Sequence, residues 1–486
     1  LLLLPFVAGV PFLAFAILVL RHFYVLGAFW GDSGLIAYVM AHGGPLLHLP
    51  LVLGGGSYFG THFTLVFVPL TLLAQTLPLS AVQFFALFSG VCAALPAVAV
   101  YWLLVSSYRL AAVPALGLSL AFAFNGLILA AARNPHFEML AVGAGMMFFA
   151  ALLQKRFVIA TACFTLCLAT REDAGFDLFA LLFITCAIGW RRGLPWVKQK
   201  PLVLYGVLAF LYSAVAVVAQ HLCFASNGAF VSVYLGTPAF GTLSWAEIGT
   251  RLEFLFRYRL YIVLPAYVAV IWGIRARNPS IYAGYLAFVP WGVLNLLAAS
   301  PIAGTLSNYY SFPFVFALFW PLVGLLLQGG TPGRPGVAGF ALMLLASFTD
   351  IGAQHNPGGI NLPASFFSVP SLQRQRATDA ALLALARAAP GLGRVVADGS
   401  VAALAPDDFA PAQLVASPQQ TPPDTVIYFA RGYDSADAIA LATRAGLRLD
   451  YAIADTNLRI ATDRPLRGLA GSGAMKPAGD GGETGD

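Results

Sequence analysis

The sequence predicts an all-α polytopic membrane protein with about eleven transmembrane helices and a small C-terminal α/β domain outside the cytoplasm. Three observations predict it. Of the 486 residues, 59% are hydrophobic and 10% charged, with a mean hydropathy of +0.79; a soluble domain is about 25% charged. Apolar stretches of the length a bilayer demands recur between Leu4 and Ile351. Beyond Ile351 the chain turns polar, and short alternating runs replace the long apolar ones.

The expected spans are Leu4 to Leu20, Val82 to Leu104, Ala112 to Ala131, Phe137 to Leu153, Phe157 to Thr170, Ala174 to Trp190, Leu202 to Leu222, Arg259 to Arg275, Ile281 to Ala299, Tyr309 to Gln328 and Val337 to Ile351. The first lacks a small-residue cleavage site and reads as a span rather than a signal peptide. The net charge of +6 resides largely in short connectors, where Lys and Arg set orientation, so no nucleic-acid partner follows from it. Lys155-Arg156, Arg191-Arg192 through Lys200, and Arg275 to Arg277 are the basic clusters, hence cytoplasmic. Counting from them places the N-terminus inside and everything after Ile351 outside. It also makes residues 29–79 one long outer loop, in which His62 to Pro78 is a helix lying in or dipping into the interface. Four of the five cysteines fall in apolar spans and Cys223 stands alone, so no zinc spacing or disulfide framework is legible.

Residues 1–351 thus form the transmembrane domain. Residues 352–390 read as a linker and an amphipathic helix over Ser371 to Pro390, and 391–470 as the α/β domain. Strands are expected at Arg394 to Asp398, Asp424 to Phe429 and Asp450 to Ala461, with a helix from Asp434-Ser435 to just before Gly446. The Gly-rich end, 471–486, reads as disordered.

Ionisable groups at membrane level are costly and mark sites unless they snorkel or pair locally. Asp32, in Trp30-Gly31-Asp32-Ser33-Gly34, suits an N-cap, a general base or a divalent-cation ligand. His62 suits an interfacial hydrogen-bonding residue or a catalyst. Glu138 can stabilise the helix N-terminus it opens, but it shares a short turn with Arg133 and His136. Arg171-Glu172-Asp173 reads either as an internal ion pair or as part of a site. Topology puts these groups on one outer face. Arg251, Arg257, Arg259 and Asn308-Tyr309-Tyr310 face them; the arginines suit phosphate recognition or the anchoring of a span end.

These same segments, with Gly60-Thr61-His62-Phe63-Thr64, Thr170-Arg171-Glu172-Asp173-Ala174-Gly175 and Asn308-Tyr309-Tyr310-Ser311-Phe312-Pro313, carry a resemblance. Over most of residues 1–330 the chain resembles the GT-C superfamily of polytopic membrane glycosyltransferases, closest to a bacterial branch of predicted membrane proteins. The resemblance implies a polyprenyl-phosphate sugar donor, a glycan or lipid acceptor, and a location in the bacterial inner membrane. It also implies that Asp32 is the acidic residue of the first outer loop, acting as base or holding a divalent cation such as Mg or Mn, with Glu138 or His136 in the second acidic position. A single Asp replaces the commoner acidic pair. The expected catalytic residues are Asp32, His62 and Glu138. His136, Arg133, Arg171, Glu172, Asp173, Arg257, Arg259, Asn308, Tyr309 and Tyr310 are the expected substrate-binding residues. A transporter or lipid flippase, and a noncatalytic scaffold for envelope polysaccharide assembly, are the competing classes. Against the first, the sequence shows no internal repeat and its charges fall at span ends.

Overall fold

The computed structural model describes the chain apart from residues 1, 22, 25–32, 51–54, 133–134, 225–229, 242, 329–333, 350–370, 410–411, 416–420, 431–434, 448–449, 465–474 and 478–486. The described chain is mostly helical, with one small sheet near its C-terminal end. The helices, in order, are α1 Leu4–Arg21, α2 Leu35–His42, α3 Phe67–Ala74, α4 Ala81–Ser106, α5 Ala112–Ala123, α6 Gly126–Ala132, α7 Glu138–Leu153, α8 Phe157–Thr170, α9 Ala174–Arg191 and α10 Trp196–Cys223. They continue with α11 Trp245–Tyr258, α12 Leu260–Arg275, α13 Ala283–Ala287, α14 Val289–Leu296, α15 Pro301–Gly304, α16 Pro313–Leu327, α17 Arg334–Ala346, α18 Leu372–Ala388, α19 Gly399–Leu404 and α20 Ser435–Arg444. They cluster into two compact units, one of Leu1–Ala16, Phe59–Phe67 and Leu87–Phe366, the other of Ile17–Tyr58, Val68–Ala86 and Phe367–Asp486.

In the first unit, α9 and α10 are each long and apolar enough to cross a membrane, as is α4, which runs through both units. Three further pairs qualify only if each is taken as one bent span: α5 with α6 at 44°, α11 with α12 at 82°, and the segment Pro301–Ser311 with α16 at 47°. The bends have local causes. Asn125 is buried and its side chain accepts from the Leu127 and Ile128 N–H groups while donating to the Phe122 carbonyl, so it starts a new helix inside the expected Ala112 to Ala131 span. Pro313 opens α16, where its missing N–H costs nothing but cannot continue the preceding turn. The expected span Ile281 to Ala299 is likewise two short helices, α13 and α14, with Pro290 in the first turn of the second. The 14 residues of α8 reach about 21 Å, short of a bilayer core of about 30 Å.

Close helix contacts depend on absent side chains. The Gly175 N–H donates to Ser213 Oγ at 2.9 Å, and a methyl group at Gly175 would sit 2.1 Å from the Ala209 carbonyl oxygen of α10. Gly145 of α7 similarly admits the Phe316 ring of α16.

In the second unit the strands β1 Val395–Ala397, β2 Gln413–Leu414, β3 Thr425–Phe429, β4 Asp450–Ile453, β5 Leu458–Thr462 and β6 Met475–Pro477 form a mixed sheet of order β2-β1-β3-β5-β4-β6. β1 pairs in parallel with β2 and β3, while the pairs β3–β5, β5–β4 and β4–β6 are antiparallel. The period-2 alternation of strands sorts the core. Ala397, Ile427, Phe429 and Ile460 face Leu382 and Leu385 of α18. Val396, Val426 and Tyr428 pack against Ala438 and Leu441 of α20. Asp398 is buried, caps α19 through the Val401 N–H and accepts from the Phe429 N–H, so one carboxylate ties β3 to the turn after β1. The α18 face of the sheet also takes Leu35 and Tyr38 of α2 and Leu49, and the Tyr24 and Tyr38 hydroxyls donate to Asp379 and Asp407 at 3.1 Å each. A stretch of the N-terminal chain therefore completes the C-terminal core.

Several expectations are corrected. The expected helix His62 to Pro78 is only α3, eight residues or about 12 Å, and His62 lies in the turn before it. The Asp450 to Ala461 stretch is a hairpin rather than one strand, turning at Asp455, whose φ is 58°. Met475–Pro477 is a strand inside the Gly-rich end expected to be disordered. The helix expected over Ser371 to Pro390 is α18, capped by the Ser371 hydroxyl accepting from the Arg374 N–H.

The α9–α10 contact yields a test. Gly175→Ala is expected to lower stability by about 1–3 kcal/mol through overpacking. Gly117→Ala, with nothing within 4 Å of its added methyl, is expected to be neutral or to gain up to about 1 kcal/mol. Thermal unfolding of the two variants in the same detergent checks both.

Candidate functional site

Three turns of the first unit converge. The turn before α7 supplies His136 and Glu138, the turn between α8 and α9 supplies Arg171, Glu172 and Asp173, and the segment ahead of α3 supplies His62. Each turn exists for a local reason. Glu138 is the first residue of α7, where a carboxylate complements the helix N-terminus. Arg171 breaks α8 with an extended backbone and Asp173 precedes α9. The Val66 N–H donates to the Ala169 carbonyl at 2.9 Å, which brings the His62 segment alongside the end of α8.

The side chains form one ion network. His62 Nδ1 lies 3.1 Å from Glu172 Oε1, and the other Glu172 oxygen accepts from the Phe63 N–H at 2.9 Å. Arg171 NH1 binds Glu138, its Nε lies 2.7 Å from Asp173 Oδ1 and 3.7 Å from Glu172 Oε1, and Glu138 also pairs with His136 Nδ1. Glu138 and His136 are almost wholly buried. The His136 ring stacks on Tyr309 with centroids 4.2 Å apart, Tyr309 stacks on Tyr310 at 4.6 Å, and His62 meets His136 edge to face at 6.1 Å. The Trp291 indole N–H donates to the Tyr310 carbonyl at 3.0 Å, fixing the turn that carries the tyrosines.

With neutral imidazoles the network holds one guanidinium against three carboxylates, an imbalance that burial makes costly and that protons relieve. Burial alone would depress the His62 imidazole, but the Glu172 carboxylate beside it carries the pKa above the usual histidine value. Burial works in the same direction of discharge on Glu172, yet His62 and Arg171 outweigh it and hold that carboxyl down at about 2. Asp173 goes the other way: burial, assisted by the charge of Glu172, pushes it up to about 6 in spite of Arg171. The cluster is thus built to hold protons near neutral pH, with the His62 Nδ1–H donated to the Glu172 carboxylate.

Of the residues expected at the site, His62, His136, Glu138, Arg171, Glu172, Asp173 and Tyr309 come together, with Tyr310 behind Tyr309. Asn308 shapes the turn with a φ of 54°. Asp32 and Arg133 lie outside the described residues. Arg259 is 1% exposed and donates to the Thr305 and Tyr258 carbonyls and to Ser307 Oγ, clamping the α11–α12 elbow to the loop before Asn308. Arg251 is spent similarly on the Leu296 and Ala298 carbonyls. Arg257 is exposed, and its pair with Glu253 one turn back spans 3.8 Å.

Asp177 was not among the expected residues. It lies in the first turn of α9, within electrostatic range of Asp173, Arg171 and Glu138. Its signal in the sequence was a carboxylate four residues after Asp173, hence on the same helix face, inside an apolar run. Among the described residues no group of three His, Cys, Asp or Glu side chains is arranged to hold a metal ion. Compared with protein-family models and with curated proteins, the sequence matches neither.

The His62–Glu172 pair sets a pH test. A histidine raised in the fold contributes stability that is complete below the unfolded value of about 6.5 and is lost as pH rises through its folded value. In NMR titrations of labelled histidine, the His62 midpoint is expected above 6.5 in the wild type and below 6.5 in Glu172→Gln, where burial is left with weaker opposition.

Proposed function

We propose that the chain is a membrane glycosyltransferase that moves a sugar from a polyprenyl-phosphate donor to a hydroxyl of a glycan or lipid acceptor at the outer face of the bacterial inner membrane. The observation that carries this reading is the proton-holding network of His62, Glu172, Arg171, Glu138 and His136, assembled at the ends of apolar helices rather than midway along them. An interfacial enzyme needs its acid and base at that level, within reach of a lipid-borne substrate. The packing of the N-terminal segment Leu35 to Leu49 into the C-terminal sheet supports having the first loop and the α/β domain in the same compartment.

In this reading the acceptor hydroxyl yields its proton to His62 or to Asp32 as its oxygen bonds to the anomeric carbon. The bond from that carbon to phosphate oxygen breaks, and polyprenyl phosphate leaves. Glu172 orients His62; Glu138 and Arg171 fix the charge balance around it. Arg171 is enclosed by carboxylates and Arg259 by carbonyl oxygens, so of these three expected phosphate-binding arginines the one best able to meet the phosphate is Arg257, whose exposed pair with Glu253 is worth little. Tyr309 and Tyr310 present an aromatic surface to the sugar. A divalent cation at Asp32 is the alternative to its role as base.

One observation favours a second reading, a proton-coupled transporter or flippase: Asp177 puts a titratable carboxyl a turn into α9, within electrostatic range of Asp173, Arg171 and Glu138, as a proton path would.

Mass spectrometry of lipids that copurify with the detergent-extracted protein separates the two. Enrichment of polyprenyl phosphate or its glycoside, falling about tenfold in Arg257→Ala with the loss of one charge-assisted contact, is the expected result. Ordinary phospholipids alone in both samples would remove the support for a polyprenyl donor.

A further inference from the structure

The first unit carries an exposed apolar stripe on α11. Trp245, Leu252 and Phe256 are 88%, 40% and 62% exposed, and together with Gly249 they fall at spacings of four, seven and eleven residues, one face of a helix. Ser244 caps the helix start, its hydroxyl accepting from the Glu247 N–H at 3.1 Å, so Trp245 opens the first turn.

The opposite face is fixed to protein. Arg251 is buried and donates to the Leu296 and Ala298 carbonyls at 2.8 and 2.6 Å while binding Glu247 of its own helix. Its guanidinium lies against Gly304, where even a methyl group would approach within 2.6 Å. The helix therefore cannot roll its stripe inward. At its C-terminal end α12 begins after the single residue Arg259, at an angle of 82°, and the Arg259 guanidinium locks that elbow to Thr305 and Ser307 and lies over the Phe254 ring. The outward surface of α12, with Tyr267, Val270 and Ile274 exposed, is apolar as well.

We propose that α11 lies along the membrane surface, with Trp245, Leu252 and Phe256 inserted between lipid headgroups and the tops of the acyl chains. Membrane helices tilt by about 20° from the bilayer normal. Without α11, the 16 residues of α12 reach about 24 Å; if α12 crosses the bilayer at that length, its 82° junction holds α11 within roughly 30° of the membrane plane. The occupant of the stripe is lipid because α11 is joined, through the elbow that Arg259 fastens, to a helix whose exposed side chains Tyr267, Val270 and Ile274 are also apolar or aromatic. Glu253 and Arg257 flank it with one charge of each sign, complementary to the phosphates and amines of a headgroup layer. An exposed Trp at the end of such a stripe suits the interfacial zone. The inference rests on α12 crossing the bilayer and is independent of the transfer chemistry.

The test is a nitroxide scan of the full chain, with its five native cysteines replaced by alanine, in nanodiscs of phosphatidylethanolamine and phosphatidylglycerol. Labels follow Trp245→Cys, Leu252→Cys and Phe256→Cys on the stripe, Ala246→Cys, Thr250→Cys and Glu253→Cys beside it, and Val270→Cys and Ile274→Cys on α12. Stripe labels are expected to collide severalfold more with oxygen than with a water-soluble nickel chelate, and the neighbouring labels the reverse. Stripe labels in water while the α12 labels sit in lipid would overturn this inference alone. Water access at Val270 and Ile274 too would overturn the membrane crossing beneath it. Poor access to both colliders on the stripe would mean that protein covers it, which also overturns the proposal. Should labelled variants fold poorly, quenching of Trp245 by brominated lipid, taken as wild type minus Trp245→Phe, reads the same depth; no quenching would overturn the proposal.

Discussion

The guanidinium of Arg171 is the point on which the candidate site depends. Among the described residues it is the one arginine that touches carboxylates from two separate turns, Glu138 at the head of α7 and Asp173 ahead of α9, with Glu172 3.7 Å away and leading on to His62. Remove it and three carboxylates face one another in a space largely closed to water. Apolar side chains of similar volume would hold these helices together at least as well, since desolvating the ions consumes much of their mutual attraction. In the function proposed above, the network serves chemistry that needs protons held at defined atoms.

The rest of the first unit can be understood as support for that point. Small residues let α9 press on α10 and α7 on α16, so the turns between them are held by rigid bodies. Arg259 and Arg251 bind backbone carbonyls on either side of the α15 turn, and Trp291 holds the following turn so that Tyr309 covers His136. Four arginines that look alike in the sequence thus do three kinds of work: Arg171 balances acids, Arg251 and Arg259 fasten loops, and Arg257 stays at the surface. Within the second unit, the N-terminal segment enters the core of the C-terminal sheet, so a domain that looks separate along the chain is completed by residues more than 300 positions earlier.

Much of this was legible in the sequence, because charge is expensive in apolar surroundings and cannot be placed casually. Orientation rules acting on Lys155, Arg156, Arg191 and Arg275 led to the expectation that His62, His136, Glu138 and the Arg171 triplet share one face, and the structure shows these side chains in one network. The pairings were not legible: whether Arg171 takes Glu138 or only its own neighbours depends on backbone geometry that no spacing encodes. The helix breaks at Asn125, Pro290 and Pro313 were missed because apolar runs continue through them, and hydropathy cannot see a side-chain cap. The strand at Met475 was missed because a Gly-rich composition hides a short edge strand whose partner, β4, supplies the order.

The central claim is that the buried network serves transfer chemistry rather than stability. Its most direct test is sugar transfer from a polyprenyl-phosphate donor in proteoliposomes, measured for wild type and Glu138→Gln alongside the unfolding temperature of each. The account predicts turnover by the wild type and a loss of about 100-fold or more in the variant, with unfolding temperatures within a few degrees of each other. Unchanged turnover in Glu138→Gln, or a loss of activity matched by a collapse in unfolding temperature, would contradict it.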